Sequence, residues 1–456
     1  MSTFLHTNSR AIPIHSVEDL RGYFQEFGKP AGAEKIGIEC EIFGVHSETA
    51  EALPYSGKRG VEAVLRVLSR EFGYTPIQEG DRTIALQKGH TMITLEPGGQ
   101  IELSGEPVRS IHEAKSQLND FFFQLKIAAQ ILGKISWLAC GIHPFSGLES
   151  IEWVPKKRYR IMADYLIQKG ARAHDMMKRT ATDQVNLDYR DEQDAIEKMR
   201  LILAVTPFAA AMFSNSAFSS GKLSGFQSER LYIWRHTDPD RTGLVLDLVC
   251  QKCTFDDYLN YVLDVPVMFV VRSDDWLPVK NLTFRHFIEN GYEGIYPTRE
   301  DFDLHLSTIF TDARFKHYVE VRGMDGQRCQ LIPSVAAFWK GILYDDRAMK
   351  DAEKLLKPFC RETFVQLRES IEKEGLRAKM EKNCVLDYAR ELVAMSEAGL
   401  KRMAMVNEKG RDESIYLGPL KEEITGPGKS PADQLIESWN RASSKDAAWI
   451  IDYFKI

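Results

Sequence analysis

Three short segments, far apart in the chain, place glutamate among aliphatic and β-branched residues. They are Lys35-Ile36-Gly37-Ile38-Glu39-Cys40-Glu41, Thr94-Leu95-Glu96-Pro97-Gly98-Gly99-Gln100-Ile101-Glu102-Leu103-Ser104-Gly105 and Tyr318-Val319-Glu320-Val321-Arg322-Gly323. Successive side chains of a strand point to opposite faces, so Glu39 and Glu41 share one face and Cys40 turns to the other, toward the core. A single Glu-x-Glu fits the solvated face of an antiparallel sheet. Three such segments fit something else. Inward carboxylates are costly unless a positive group meets them, and several on one face make a site for a hard cation with oxygen ligands. The cation this suits is Mg²⁺ holding the phosphates of ATP.

The order of elements sets the fold class. The spacing predicts helices over 17–27, 60–72, 111–132, 158–167 and 192–213, the last kinked or broken at Pro207. It predicts strands over 35–45, 83–86, 92–95, 100–103, 137–143, 182–189, 265–271 and 318–322, with a Ser/Gly-rich loop over 215–230. Helices follow over 302–309, 335–343, 345–409 and 431–453. Hairpin-linked strands with intervening helices favour α+β with an antiparallel sheet over a Rossmann or barrel layout. No P-loop and no Gly-x-Gly-x-x-Gly is present, so a nucleotide would be held by another architecture. The chain reads as one domain, 1–456, with a largely helical layer from about 345.

Composition narrows the function classes. A net charge of −6 argues against a nucleic-acid partner. The longest apolar run, 201–213, is broken by Thr206 and Pro207 and is too short for a membrane. The start, Met1-Ser2-Thr3-Phe4-Leu5-His6, has no charged region followed by an apolar run, and the seven cysteines form no disulfide framework. These features lead to the expectation of a cytoplasmic protein. Cys250 and Cys253 form a lone Cys-x-x-Cys, which argues against a zinc centre. His143 and His174 have no ligand partners at useful spacing and read as structural.

The glutamate segments resemble the plant and proteobacterial type of glutamate–cysteine ligase. So do Gln184-Val185-Asn186-Leu187-Asp188, Asp238-Pro239-Asp240-Arg241-Thr242-Gly243, Ala336-Ala337-Phe338-Trp339 and Lys429-Ser430-Pro431-Ala432, in collinear order over nearly the whole chain. The Glu-Pro-Gly-Gly-Gln run is the most specific of them. The resemblance implies a curved antiparallel sheet forming a bowl wrapped by helices, as in the catalytic domain of glutamine synthetase. It implies ATP-dependent phosphorylation of the γ-carboxylate of glutamate and attack by the amine of cysteine, giving γ-glutamylcysteine, the first intermediate of glutathione synthesis. A ligase using another amine, or a silent nucleotide-binding homologue, would carry the same motifs.

The resemblance also implies roles. Glu39, Glu41, Glu96, Glu102 and Glu320 are the expected Mg²⁺ ligands. Arg322 shares a strand face with Glu320 and either stabilises the transferring phosphoryl group or pairs with a carboxylate. Arg241 is expected to clamp a carboxylate of glutamate, with Arg235 a weaker candidate whose alternative is a surface loop. Gln184 and Asn186 share a polar face and reach nucleotide or metal-bound water, or else hydrogen-bond across strands. Arg179, just before that strand, is expected to meet phosphate or carboxylate. Tyr232 and Trp234 alternate in a strand-like stretch and either wall the cysteine pocket or fill the core. Cys329 matches the second cysteine of a regulatory disulfide, but 290–299 holds no first partner, and Cys250 or Cys253 are the only substitutes in view. The expected partners are the small molecules ATP, glutamate and cysteine, with the chain a monomer or homodimer.

Overall fold

Alternation in the first glutamate segment gives one strand two unlike surfaces, and the fold is arranged around that strand. The structure is a computed structural model that describes residues 12–250, 253–357, 361–380 and 382–456, without the side chain of Cys250. The chain start and the Cys250 thiol considered above lie outside the described residues.

Strand β1 (Ile36–His46) is followed by β2 (Thr75–Glu79), β3 (Arg82–Lys88), β4 (Thr91–Leu95), β5 (Ile101–Ser104), β6 (Ile135–Leu138), β7 (Asp183–Leu187), β8 (Ala313–Phe315) and β9 (Val319–Val321). They form one open antiparallel sheet in the order β8-β9-β7-β1-β5-β4-β3-β2, with β6 paired to the second half of β1. The α+β expectation holds. On one face Ile36, Ile38, Cys40, Ile42, Ile101, Leu103, Val185, Leu187, Val319 and Val321 are buried. Helices Ile111–Leu132, Glu192–Met212 and Ile332–Leu343 pack on this side. Each aliphatic side chain so buried contributes roughly 1.5–3 kcal/mol, which offsets the cost of a charged opposite face. A capping box starts the helix Ile111–Leu132: Ser110 accepts from the Glu113 N–H at 3.2 Å and Glu113 accepts from the Ser110 N–H at 2.9 Å.

Several boundaries differ from expectation. The helix Glu192–Met212 runs unbroken through Pro207, because 201–212 is buried throughout and packing outweighs one lost hydrogen bond. The 265–271 strand shrinks to Phe269–Arg272, which pairs with Asp275–Pro278 in a ribbon apart from the main sheet. The 137–143 strand is Ile135–Leu138, and edge strand β2, half polar and containing Pro76, was not legible at all. In the last quarter, helices Asp346–Leu356, Arg361–Glu374, Val385–Met403, Pro431–Arg441 and Ala447–Phe454 follow one another. The final two build a smaller core with Phe43, Val45, Leu138 and Phe218 on the outer half of β1.

Candidate active site

Register turns the scattered glutamates into one surface. Glu41 lies opposite Glu102, which lies opposite Thr94; Glu39 lies opposite Ser104 on one side and Gln184 on the other. Asn186 lies opposite Glu320, and Glu320 opposite Arg314. Every one of these side chains is on the face away from the aliphatic core. Glu39, Glu41, Glu96 and Glu102 line a cleft together with Lys156, Arg158, Tyr159, Gln184, Arg314, Lys316 and Arg322.

The carboxylates are held in two different ways. Glu102 accepts from the Thr94 hydroxyl at 2.6 Å and the Ser104 hydroxyl at 3.1 Å, with no cation beside it in these contacts. Burial, and then the charges of Glu39 and Glu96, raise its pKa to about 8. Glu41 accepts from the Thr182 N–H at 3.0 Å and from Gln184 at 3.3 Å. Burial followed by repulsion from Glu96 and Glu102 raises its pKa well above the carboxylate range. Glu320 is the opposite case. It is fully buried yet meets Arg314 at 2.5 Å, Lys316 at 2.8 Å and Arg322 at 2.7 Å. Those three charges overcome desolvation and hold it well below the usual carboxylate value. Arg322 also donates to Gln184 at 2.6 Å, tying the cationic end to the acidic end. Asn186 donates to Glu39 at 2.9 Å.

Gly98, Gly99 and Gln100 of the Glu-Pro-Gly-Gly-Gln run each have a physical task. The Gly99 N–H donates to the Glu96 carbonyl at 2.9 Å, and Gly99 has a φ of +84° that other residues rarely adopt. A Cβ on Gly98 would lie 2.2 Å from the carbonyl oxygen of Lys178, at the end of the helix Ala173–Arg179. Gln100 accepts from the Gly98 N–H at 3.0 Å and donates to the Thr180 carbonyl at 2.8 Å, stapling the turn to that helix end. Lys156 and Tyr159 both donate to the Leu95 carbonyl, at 2.7 and 2.6 Å. The half-buried Glu96 is thereby fixed over the cleft. Gly98→Ala is expected to lower stability by about 1–3 kcal/mol through overpacking and to cut activity further by shifting Glu96. Denaturant unfolding alongside the rate measures both.

Four expected site residues lie elsewhere. Arg241 is fully buried and saturated: it donates to Asp238 at 2.8 Å, Thr308 Oγ1 at 3.2 Å, Tyr165 OH at 2.9 Å and the Pro266 carbonyl at 2.7 Å. Its fork ties a loop to three other segments instead of facing a ligand. Arg235 pairs with Glu372 at 2.7 Å and Glu369 at 2.9 Å, away from the cleft. Arg179 is buried against Asp175 at 2.6 Å and the Ser219 hydroxyl at 2.6 Å. Tyr232 packs on the rings of Phe226 and His236. The stretch holding Tyr232 and Trp234 is helical, Glu229–Arg235, because Ser228 caps it by accepting from the Leu231 N–H at 3.2 Å. Residues two apart on a helix diverge, so Trp234 alone reaches toward Arg322, whose guanidinium carbon is 5.9 Å from its ring centre.

Other expectations hold their place. His143 is buried, accepts from the Ser146 N–H at 3.0 Å and has its pKa pushed down to about 3 by burial; His174 bonds the Ala163 carbonyl. Cys40 is in the core. Cys40, Cys140, Cys253, Cys329 and Cys384 are thiols, with Cys329 half-buried. Arg314, Lys316, Lys156 and Arg158 line the cleft without having been foreseen. The alternation Ala313-Arg314-Phe315-Lys316 was the signal for two of them.

The chain matches Glutamate-cysteine ligase family 2 (GCS2) over residues 35–448. It is 36% identical over 427 residues to the chloroplastic glutamate–cysteine ligase of Solanum lycopersicum, covering 93% of this chain and 79% of that one. It is 35% identical over 426 residues to the chloroplastic enzyme of Arabidopsis thaliana, covering 93% and 80%. A glutamate–cysteine ligase of Francisella tularensis, solved in complex with AMP, superposes with a TM-score of 0.58 at 15% identity, covering 94% of this chain and 88% of that one. The expectation of a cytoplasmic protein is overturned: these plant relatives are chloroplastic enzymes. Among the described residues no helix is long and apolar enough to cross a membrane. With the glutamate-bearing sheet face and the match over most of its length, the chain belongs to glutamate–cysteine ligase family 2, enzymes that join glutamate to cysteine in the first step of glutathione synthesis.

Proposed function

We propose that this chain couples glutamate to cysteine through a γ-glutamyl phosphate, using ATP and Mg²⁺ in the cleft on the polar sheet face. The observation that carries the reading is the division of that cleft into an acidic end, Glu41, Glu96 and Glu102, and a cationic end, Arg314, Lys316 and Arg322. A carboxylate oxygen is a poor leaving group, so an amine cannot displace it directly. An oxygen of the γ-carboxylate attacks the terminal phosphorus of ATP and ADP departs. The amine nitrogen then attacks the acyl carbon, the bond to the phosphate oxygen breaks, and phosphate leaves with the electron pair while the nitrogen loses a proton. Phosphoryl transfer of this kind is mostly positioning and neutralisation of charge. Arg322, whose guanidinium donates toward Glu320 and Gln184, is placed to meet the phosphoryl oxygens.

The donor set fits the metal. Glu41 and Glu102 are buried carboxylates that repel each other and Glu96, a strain that a divalent cation relieves. Among the described residues no three His, Cys, Asp or Glu side chains form a ready metal-binding group. Mg²⁺ keeps water and takes substrate phosphates as ligands, so it needs no closed protein cage. Glu39, Glu41, Glu96, Glu102 and Glu320 would hold it, with Glu320 less available because three cations already occupy it. Bound there, Mg²⁺ supplies charge neutralisation along the phosphates. The AMP in the Francisella tularensis structure supports a nucleotide in this fold.

The test is ADP release by purified protein with ATP, Mg²⁺ and L-glutamate, comparing cysteine with a panel of other amines. Cysteine is expected to give the fastest turnover, with γ-glutamylcysteine identified by mass spectrometry. Faster turnover with another amine would reassign the acceptor, and no turnover with any amine would leave only a nucleotide-binding role.

A further inference from the structure

Arg322 has a second arginine at its side. The Arg230 guanidinium donates to the Arg322 carbonyl at 3.1 Å, and both side chains, with Trp234, border a small space that adjoins the cleft. Arg230 is only 3% exposed, and among the described residues no acceptor meets its Nε, the Arg322 Nε or the Trp234 Nε1. A side chain with so few polar contacts of its own is aimed by the backbone that carries it. What holds that backbone is a single buried carboxylate on the Arg322 side of the fold.

Arg230 lies in the first turn of the helix Glu229–Arg235. Its N–H donates to the Ser216 hydroxyl at 3.1 Å, and the Leu231 N–H donates to the Ser228 hydroxyl at 3.2 Å. Each serine, having accepted, donates its own hydrogen to Asp325: Ser216 to Oδ2 at 2.7 Å and Ser228 to Oδ1 at 2.9 Å. The Asn215 N–H reaches Oδ2 as well, at 2.8 Å. Burial raises the Asp325 pKa, while the charge of Arg230 and these three donors lower it. An ionised carboxylate is acceptor-only and fits all three donors at once.

Asp325 is itself fixed. It follows Arg322 by three residues, and its neighbours are tied to the start of β7. The Thr182 hydroxyl donates to the Met324 carbonyl at 2.6 Å, the Gly326 N–H to the Ala181 carbonyl at 2.9 Å and the Gln327 N–H to Asp183 at 2.6 Å. Gly141 makes the room: a Cβ there would lie 2.6 Å from the Asp325 Cβ. One rigid carboxylate thus spans two segments, the one that carries Arg322 and the one that carries Arg230, and its reach sets their separation.

We propose that Asp325 is a positioning residue of this site: through Ser216 and Ser228 it holds the Arg230 fork at a set distance from Arg322, facing the substrate. The inference rests on the ligase reading above for the identity of that substrate. Asp325 touches no substrate itself, so its effect passes through Arg230 and disappears when the fork is absent.

The test is a double-mutant cycle on the affinity for L-glutamate. Dissociation constants are measured by calorimetry with Mg²⁺ and a non-hydrolysable ATP analogue, and turnover with ATP and cysteine is recorded separately. Asp325→Asn keeps the size but turns an amide N–H₂ toward a donor, and is expected to weaken glutamate about tenfold. In an Arg230→Lys background, which keeps the charge and discards the fork, the same change is expected to weaken it by less than about twofold. Ser216→Ala removes one link only. It is expected to give about a threefold loss with the same dependence on Arg230, so the test survives if the Asp325 variant fails to fold. Equal losses in the two backgrounds would make Asp325 a structural staple and overturn the proposal. Wild-type affinity in the Asp325 and Ser216 variants would overturn it too. If the coupling is found and no turnover occurs with cysteine, the positioning role stands and the ligase reading falls.

Discussion

Glu102→Gln is expected to lower turnover by about a thousandfold while making the metal-free protein more stable. The two effects have one origin. Glu102 is buried opposite Glu41, its oxygens meet only the Thr94 and Ser104 hydroxyls among the hydrogen bonds described, and its pKa of about 8 records how unfavourable its charge is there. The sign follows from linkage. A carboxyl whose folded pKa lies above its unfolded value adds stability that is full below the unfolded pKa and is lost as pH rises through about 8. Glutamine keeps the size and cannot ionise, so the variant should hold its stability across that pH range. It also cannot neutralise a divalent cation, so the rate collapses even at saturating Mg²⁺. Thermal unfolding at pH 6 and pH 9 together with kcat measures both. Wild-type turnover in the variant would take Glu102 out of the metal site.

Glu320→Ala should have the opposite signature, a loss of about 3–5 kcal/mol in stability at any pH near neutrality. Removing this one carboxylate leaves Arg314, Lys316 and Arg322 together in a buried region with their common counter-charge gone. Its pKa is already held well below the usual range, so the protein keeps this contribution above the unfolded carboxylate pKa and loses it only in acid. Glu320→Gln is expected to lose less, because its carbonyl still accepts a hydrogen bond. Urea unfolding midpoints for the pair decide it. An alanine variant as stable as wild type would mean that the three cations repel less than their burial implies.

The parts of this protein that could be read from sequence are those whose logic is local. Alternation put Glu39 and Glu41 on one face and Cys40 on the other, and that is where they are. The Glu-Pro-Gly-Gly-Gln run was legible because Gly98, Gly99 and Gln100 answer backbone demands within the turn or at one neighbouring helix end. Arg241 was misplaced because a loop arginine looks the same in sequence whether its fork meets a substrate or, as here, Asp238, Thr308, Tyr165 and Pro266. The helix carrying Trp234 was read as extended because seven residues are too few for helical periodicity to outweigh an apolar alternation. Arg230 carried no local signal. Its orphaned N–H becomes visible only when Trp234, on the same helix, and Arg322, just after β9, are seen beside it.

The split of the cleft into carboxylates around β1 and β5 and cations around β8 and β9 amounts to an electric field laid along the sheet. A polyanion entering such a field meets a torque before it meets any base- or ribose-specific contact. Its tail is drawn toward Arg314 and Lys316, and its approach along the acidic side is tolerated only when escorted by a cation. Polarity of docking is therefore written into strand register, where sliding β9 by one residue would turn Glu320 and Arg322 to the apolar face and erase it.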